Sequence, residues 1–430
     1  MLNSLIITTG KIISKFIRLI NAGNGTTWPG HIALKFNPQF INDLKKKSNL
    51  TVILVIGTNG KTTTTSLLRH LFTSAGKNVI QNESGANLPN GIASVFLLNS
   101  SIFGNIRADI AILEVDENAF STVANMVTPD AIVVLNLFRD QLDRYGEVNT
   151  IALKWKKTLD SLPPVDLFLN ADDPQIAYLE KNSQHKVYFF GADPNDAQEK
   201  NVEHASDSIY CPNCGEKLHY SRVFYSHLGI WNCTKCHYKH SNHVFRNAPF
   251  YPLSGLYNKY NIHAAVLVAK TLGVLDTTLQ QSLTTFKPVF GRQETLIIDN
   301  KKVQIILAKN PSGFNQALRT IIDQNPKVVL LLLNDRIADG NDISWIWDTD
   351  VELLRNAHTN IFISGDRAWD LGLRIKYADF PQNTFTVIDD LPKAVVAAIN
   401  ATKSNDTLFI LPTYTAMLEV RKILTGRKIL

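Results

Sequence analysis

TVILVIGTNGKTT, residues 51–63, passes from apolar and β-branched residues into a glycine-bracketed loop and then to Lys61, Thr62 and Thr63. An apolar run without polar alternation reads as a strand buried on both faces. From Thr62 to Ala75 the pattern is helical, closing near Gly76. A strand that empties through Gly57, Thr58, Asn59 and Gly60 into a helix aims backbone N–H groups and a helix N-terminus at phosphate oxygens. Lys61 would reach the terminal phosphates of a nucleotide, and the Thr62 hydroxyl would bind Mg²⁺. The spacing departs from the usual G-x4-G-K-[ST], because position 55 is Val. A strand-to-helix turn without a ligand is the bland alternative.

The strand pattern recurs outward from this loop. DIAILEV (109–115) and DAIVVLNL (130–137) are again short apolar runs. Strands alternating with helices imply a parallel sheet covered by helices on both faces. Glu114, in Glu114-Val115-Asp116-Glu117, ends one run, and the other leads into Asn136 and RDQLDRYG (139–146). Both clusters fall at strand ends, where such a sheet places its ligand crevice and where carboxylates hold Mg²⁺. Solvated loop carboxylates are the alternative for either cluster taken alone.

The helical run NKYNIHAAVLVAKTLG (258–273) continues this character, and a boundary is expected near FKPVFGRQE (286–294). Beyond it, VQIILA, KVVLLLL, IFISG, TFTVI and DTLFILP alternate with helical stretches. They read as a second, Rossmann-like α/β domain. The expected division is 1–45 for an N-terminal helix and loop, 46–290 for a nucleotide-binding middle domain and 291–430 for the C-terminal domain. Residues 1–20 read as an amphipathic helix. Lys11, Lys15 and Arg18 lie near one face and Ile12, Ile13, Phe16, Ile17 and Ile20 on another. Packing on its own domain and peripheral contact with a membrane surface are the two readings. A Gly-rich loop, NAGNGTTWPG, follows at 21–30.

All four cysteines, Cys211, Cys214, Cys233 and Cys236, sit in two C-x2-C pairs. This is the spacing of a four-thiolate zinc site, and four protein ligands leave no open position, so the ion would be structural. Gly215 follows the first pair, where the turn needs positive φ. Two disulfides or four idle thiols are the alternative, and a reducing cytosol disfavours disulfides. Residues 205–245 thus read as a zinc ribbon inserted in the middle domain.

Composition adds limits. With 45% apolar and 19% charged residues over 430, the chain can bury more than one core. The excess of 44 Lys and Arg over 38 Asp and Glu is too small to imply nucleic acid. Apolar runs such as Val328 to Leu333 fall far short of the about 20 residues of a spanning helix. Lys11, Lys15 and Arg18 interrupt any signal-peptide core, so a cytoplasmic location is expected, with the inner membrane face as the place of any peripheral contact.

GTNGKTT, LEVDE, the Asn136–Gly146 block, LNADDP (169–174), GLYNKYNIHAA (255–265), FGRQE (290–294) and KNP (309–311) occur in the order of the Mur ligase family. The chain resembles that family over nearly its whole length. The resemblance implies an acyl phosphate made from ATP and a carboxylate, which an amine then attacks. It implies that Asn258 contacts the nucleotide and Arg292 its phosphates, and that Lys309 and Asn310 face substrate or ATP. Gln141 and Tyr257 stand where amino-acid-adding members carry His. A short N-terminus, the ribbon, RDQLDRYGE and NDRIADGNDISWIWD resemble the MurT-like branch instead. That branch implies amidation of the α-carboxyl of D-isoglutamate in lipid II, beside a GatD-like glutamine amidotransferase subunit. It also implies an acid from 339–348, Asp348 first and Asp342 next, that orients the partner's catalytic His. Packing of Trp345 and Trp347, with their acids capping a turn, is the alternative. Releasing ammonia from glutamine in the usual way takes a thiolate nucleophile, and the ribbon claims every cysteine. A folylpolyglutamate synthetase-like ligase and a non-catalytic nucleotide-binding protein remain the competing readings.

Overall fold

A computed structural model describes residues 2–19, 27–82, 85–140, 148–197, 206–288, 291–357, 359–381 and 384–426. Residues 21–26 of the Gly-rich loop, the QLDRYGE stretch (141–147), residue 205 and Phe290 lie outside them. The chain begins with α1 (Leu2–Leu19), α2 (Trp28–Phe36) and α3 (Phe40–Lys46). Strand and helix then alternate through β1 (Thr51–Ile56), α4 (Lys61–Ser74), β2 (Val79–Gln81), α5 (Pro89–Asn99), β3 (Ile110–Glu114), α6 (Phe120–Val127) and β4 (Ala131–Val134). They continue through α7 (Val148–Ser161), β5 (Asp166–Asn170), α8 (Pro174–Ala177) and β6 (Lys186–Phe190).

These strands, with β9 (Val244–Phe245), form a sheet of order β2-β3-β1-β4-β5-β6-β9 in which each pairing is parallel. Val52, Leu54 and Ile56 of β1 enter one apolar cluster, and Ile53 and Val55 enter another on the opposite face. That division is what an uninterrupted apolar strand requires, since successive side chains point to opposite faces. The order reverses around β1, so the loop leaving it opens into a crevice flanked by the ends of β3 and β4.

The cysteine segment stands between β6 and β9. Its hairpin, β7 (His219–Tyr225) and β8 (Leu228–Asn232), pairs antiparallel, apart from the main sheet. The last residues of the segment expected as a ribbon return to the main sheet as β9, with Phe189 opposite Val244. Helices α9 (Leu256–Thr271) and α10 (Asp276–Thr285) follow.

The second unit comprises β10 (Arg292–Ile298), β11 (Lys301–Ile306), α11 (Pro311–Ile322), β12 (Val328–Leu332), β13 (Asn360–Ser364), α12 (Ala368–Tyr377), β14 (Phe385–Val387), α13 (Leu391–Ala401), β15 (Thr407–Pro412) and α14 (Tyr414–Thr425). Its sheet runs β10-β11-β15-β12-β13-β14, parallel except for β10 against β11. Strand β10 is the element the sequence pattern did not reveal. RQETLII sets four polar residues before three apolar ones, so no period of two shows in its sequence, although its burial alternates as on a sheet edge and Ile297 is exposed.

A bulge at Gln293, whose φ is +61°, locks this edge onto the first unit. The Gln293 side chain accepts from the Ser254 N–H at 3.1 Å and donates to Ser254 O at 2.8 Å and the Tyr257 hydroxyl at 2.9 Å. Tyr257, the departure from the amino-acid-adding pattern, is therefore part of the junction. Among the described residues no helix is long and apolar enough to cross a membrane.

Candidate active site

The loop from β1 to α4 can make its turn only with glycine at two points. Gly57 has φ +136° and lies against the backbone of Asn136. Gly60 has φ +90°, and a Cβ there would fall 2.1 Å from Asn261 Oδ1. The segment that follows β4 pins the rest. Asn136 Oδ1 accepts from the Asn59 N–H at 2.9 Å, and its amide donates to Asn59 O at 3.0 Å. The Thr58 hydroxyl donates to Phe138 O and accepts from the Phe138 N–H. Asn136 thus serves as a brace for the loop.

Carboxylates arrive from β3, where the register sets Val55 opposite Glu114. Glu114 Oε2 accepts from the Thr62 hydroxyl at 2.9 Å. Lys61 is buried, and its ammonium donates to Gly57 O, to Thr58 O at 3.2 Å and to Glu117 Oε1 at 2.9 Å. Burial pushes the Glu117 carboxyl above the usual carboxylate range, while Lys61 pulls it the other way. Asn82, which sequence reasoning missed, fixes the strand end. Its side chain accepts from Glu114 N and donates to Glu114 O, both at 2.9 Å. It follows a strand of three residues, too short to carry a readable period.

The second unit closes the crevice. Lys309 donates to Asp140, and the side-chain amides of Asn310 and Asn59 meet at 3.1 Å. Arg292 is withdrawn from solvent, which lowers its pKa. A cavity of about 400 Å³ is lined by Lys61, Thr62, Glu114, Glu117, Arg292 and Lys309, among others. A smaller one on the far side of the loop is lined by Asn59, Gly60, Thr63, Asn258 and Arg292, among others. Asn258 is buried, donating to Ser254 O at 2.7 Å and accepting from Asn261 at 3.2 Å. Left-handed glycines, convergent cations and carboxylates at strand ends fit a polyphosphate with a divalent cation. Thr58, Asn59, Gly60, Lys61, Thr62, Glu114 and Arg292 line the larger cavity, and Thr63 and Asn258 the smaller.

Asp348 and Asp342 stand apart from this cleft. Both are exposed. Asp348 lies 3.7 Å from the Arg139 guanidinium, which also pairs with Asp207. Asp342 accepts from the Ser344 N–H at 2.8 Å, and hydrogen bonding from the Ser344 side chain, then from this N–H, holds its carboxyl below the usual range. Trp345 packs edge-on against Phe314, and Trp347 against Tyr377.

The four cysteine sulfurs lie within 4.8 Å of one another. Cys211 and Cys236 are 3.6 Å apart, Cys214 and Cys233 3.5 Å. A tetrahedral ion with Zn–S bonds of about 2.3 Å sets its sulfurs about 3.8 Å apart, so the quartet fits zinc. Each C-x2-C turn closes by a backbone bond, Gly215 N to Cys211 O and His237 N to Cys233 O. Gly215 has φ +75°, and His237 takes the same left-handed role at +59°.

A crevice built from a strand–loop–helix phosphate cradle and closed by a second α/β unit is the architecture of the Mur ligases. Residues 55–269 match the Mur ligase middle domain and 307–417 the MurT ligase C-terminal domain. The chain is 33% identical to the MurT subunit of lipid II isoglutaminyl synthase (glutamine-hydrolyzing) of Streptococcus pneumoniae R6, covering 96% of this chain and 95% of that one. It is 35% identical to the Staphylococcus aureus COL protein of the same name, over 83% of each. A pseudomurein peptide ligase type C from Methanothermus fervidus shares the fold, with a TM-score of 0.66 and 21% identity over 90% of this chain and 80% of that one. The chain belongs to the MurT family, and is accordingly a ligase that forms C–N bonds.

Proposed function

We propose that the chain is the synthetase subunit that amidates the α-carboxyl of D-isoglutamate in lipid II to D-isoglutamine, using ATP, Mg²⁺ and ammonia from a GatD-like glutaminase subunit. The observation that carries this reading is the shared cleft. Lys61, Thr62 and Glu114 from one unit face Arg292 and Lys309 from the other across a single cavity. Such a cleft can hold a nucleotide on one wall and an anionic substrate on the other.

In this reading the loop N–H groups and Lys61 hold the γ-phosphate, and Thr62 and Glu114 hold Mg²⁺, which offsets phosphate charge. Asn258 contacts the nucleotide from the smaller cavity, and Arg292 neutralises charge on the phosphates. The substrate carboxylate attacks the γ-phosphorus in line, forming an acyl phosphate and releasing ADP. Positioning and charge neutralisation supply most of the rate. Ammonia then attacks the carbonyl carbon, phosphate leaves, and the nitrogen loses a proton to give the amide. Closure of the two units excludes the water that would hydrolyse the intermediate. Zinc in the ribbon is structural.

The ammonia must come from elsewhere, because the four cysteines are gathered at one site and none is left as a glutaminase nucleophile. Asp348, exposed and anchored beside Arg139, is offered to orient the partner's catalytic His, with Asp342 the second candidate. Both acids act at the partner interface, not at the ATP cleft.

The test is the purified chain with Mg²⁺, ATP, lipid II and either ammonium or glutamine. Ammonium should give phosphate release and a product about one mass unit lighter, the difference between –OH and –NH₂. Glutamine should give neither. Turnover of glutamine by the pure chain, or addition of an amino acid in place of ammonia, would overturn the proposal.

A further inference from the structure

Residues 1–42 contain Lys11, Lys15, Arg18 and Lys35 but neither Asp nor Glu. Within this acid-free stretch, α1 uses one face to join the protein. Ile6 and Ile7 are buried, Gly10 lies against Leu97, and the Lys11 ammonium donates to Ser100 O. Near its start, the Asn3 amide donates to Asp43 at 3.0 Å.

A second face of the same helix is apolar and open. Leu5 is 67% exposed, Ile12 62%, Phe16 60% and Leu2 53%. At about 100° per residue these four fall within about 80° of arc, beside the buried arc of Ile6, Gly10 and Ile7. Lys15, also exposed, lies on the flank of this stripe. A helix that needed only its own domain would carry one apolar face and a polar remainder. In this one the apolar arc runs on past the buried face into solvent and ends at a basic edge.

Trp28 and Phe36 of α2 are exposed. Two residues after Trp28, Gly30 packs so closely on α5 that a Cβ would fall 1.9 Å from Asn90 O. Leu88, just before α5, is half exposed and lines the large cavity. Exposed apolar residues thus occur on α1, on α2 and at the rim of the cleft.

We propose that the outer stripe of α1, with Trp28 of α2, docks the protein on an anionic lipid surface. Apolar side chains set in a plane and flanked by cations are the pattern of a helix lying in a bilayer interface. The charge complementarity is one-sided, since residues 1–42 bring cations and no carboxylate. A second copy meeting this face would set Lys15 against like charge without an acid from that stretch to offset it. Docking rests on the amidation reading only for its purpose, which is to bring the cleft to a lipid-linked substrate.

The test is cosedimentation of the full chain with vesicles of phosphatidylglycerol and phosphatidylcholine, in the absence of ATP and lipid II. The wild type should pellet with these vesicles, less with phosphatidylcholine alone, and less as salt rises. The triple variant Leu5→Glu, Ile12→Glu, Phe16→Glu should remain in the supernatant while keeping its circular dichroism spectrum. If that variant misfolds, Lys15→Gln, at an exposed position, decides the matter by weakening vesicle binding about fivefold. A wild type that ignores anionic vesicles, or variants that pellet as the wild type does, would overturn the proposal. So would a triple variant that instead converts a dimer to a monomer. Vesicle binding without amidation would sink the amidation reading and leave this one standing.

Discussion

Lys61 and Glu117 carry the sharpest consequence of the site at the scale of single residues. Both are buried, 2.9 Å apart, and each limits the other's desolvation cost. Removing one partner of a buried pair costs about 3 kcal/mol, because the other is left uncompensated. Lys61→Ala should therefore lower the melting temperature as well as cut ATP-dependent turnover by about 10²–10³-fold. Adding Glu117→Gln removes the orphaned charge and should restore the melting temperature without restoring turnover. Thermal melts and phosphate release on the two variants check this, and a Lys61→Ala protein with normal turnover would end the role given to Lys61. Gly60 is constrained as tightly, since its left-handed turn and the 2.1 Å approach to Asn261 leave no room for a side chain. Its spacing to Lys61 is local and could be read in advance, whereas Asn82, which clamps Glu114 from 32 positions away, could not.

Among the elements, the ribbon depends most on a group from outside the chain. Its own apolar cluster is small, built around Trp231, Leu218, Ala177 and the cysteines. It is tied to the main sheet by Trp231 Nε1 to Ala171 O at 3.2 Å, Gly229 N to Asp172 O at 2.9 Å and His240 to Asp172 at 2.7 Å. A core of this size needs a staple, and metal binding is coupled to folding in such sites. Metal analysis should find about one zinc per chain, and a strong chelator should open residues 206–243 to protease while β1 to β6 stay protected. A metal-free ribbon with unchanged resistance would contradict the assignment. The ribbon and the β1–loop–α4 unit were legible because cysteine spacing and glycine placement are short-range signals. Strand β10 was not, because four polar residues before three apolar ones, beside glycine and proline, show no strand period and resemble a linker. The return of the cysteine segment as β9 was hidden in two residues, below the length at which any period shows.

In the whole molecule, the proposed reaction depends on the cleft between the two α/β units. Neither unit alone assembles the site. The phosphate cradle and Glu114 lie on the first sheet, Arg292 and Lys309 on the second. Asn59 with Asn310, and Asp140 with Lys309, hold the two together across the crevice. Sequence order hinted at these partners through family resemblance, but their meeting is a property of tertiary structure. In the proposed reaction this cleft activates a carboxylate by phosphorylation before nitrogen arrives. The most direct test is isotope transfer. Lipid II labelled with ¹⁸O in the D-isoglutamate α-carboxyl is converted with ATP and ammonium, and the inorganic phosphate is analysed by mass. An acyl phosphate predicts one carboxyl oxygen delivered to phosphate for every amide formed. Amide formed with no label in phosphate, or label found in AMP, would contradict the account.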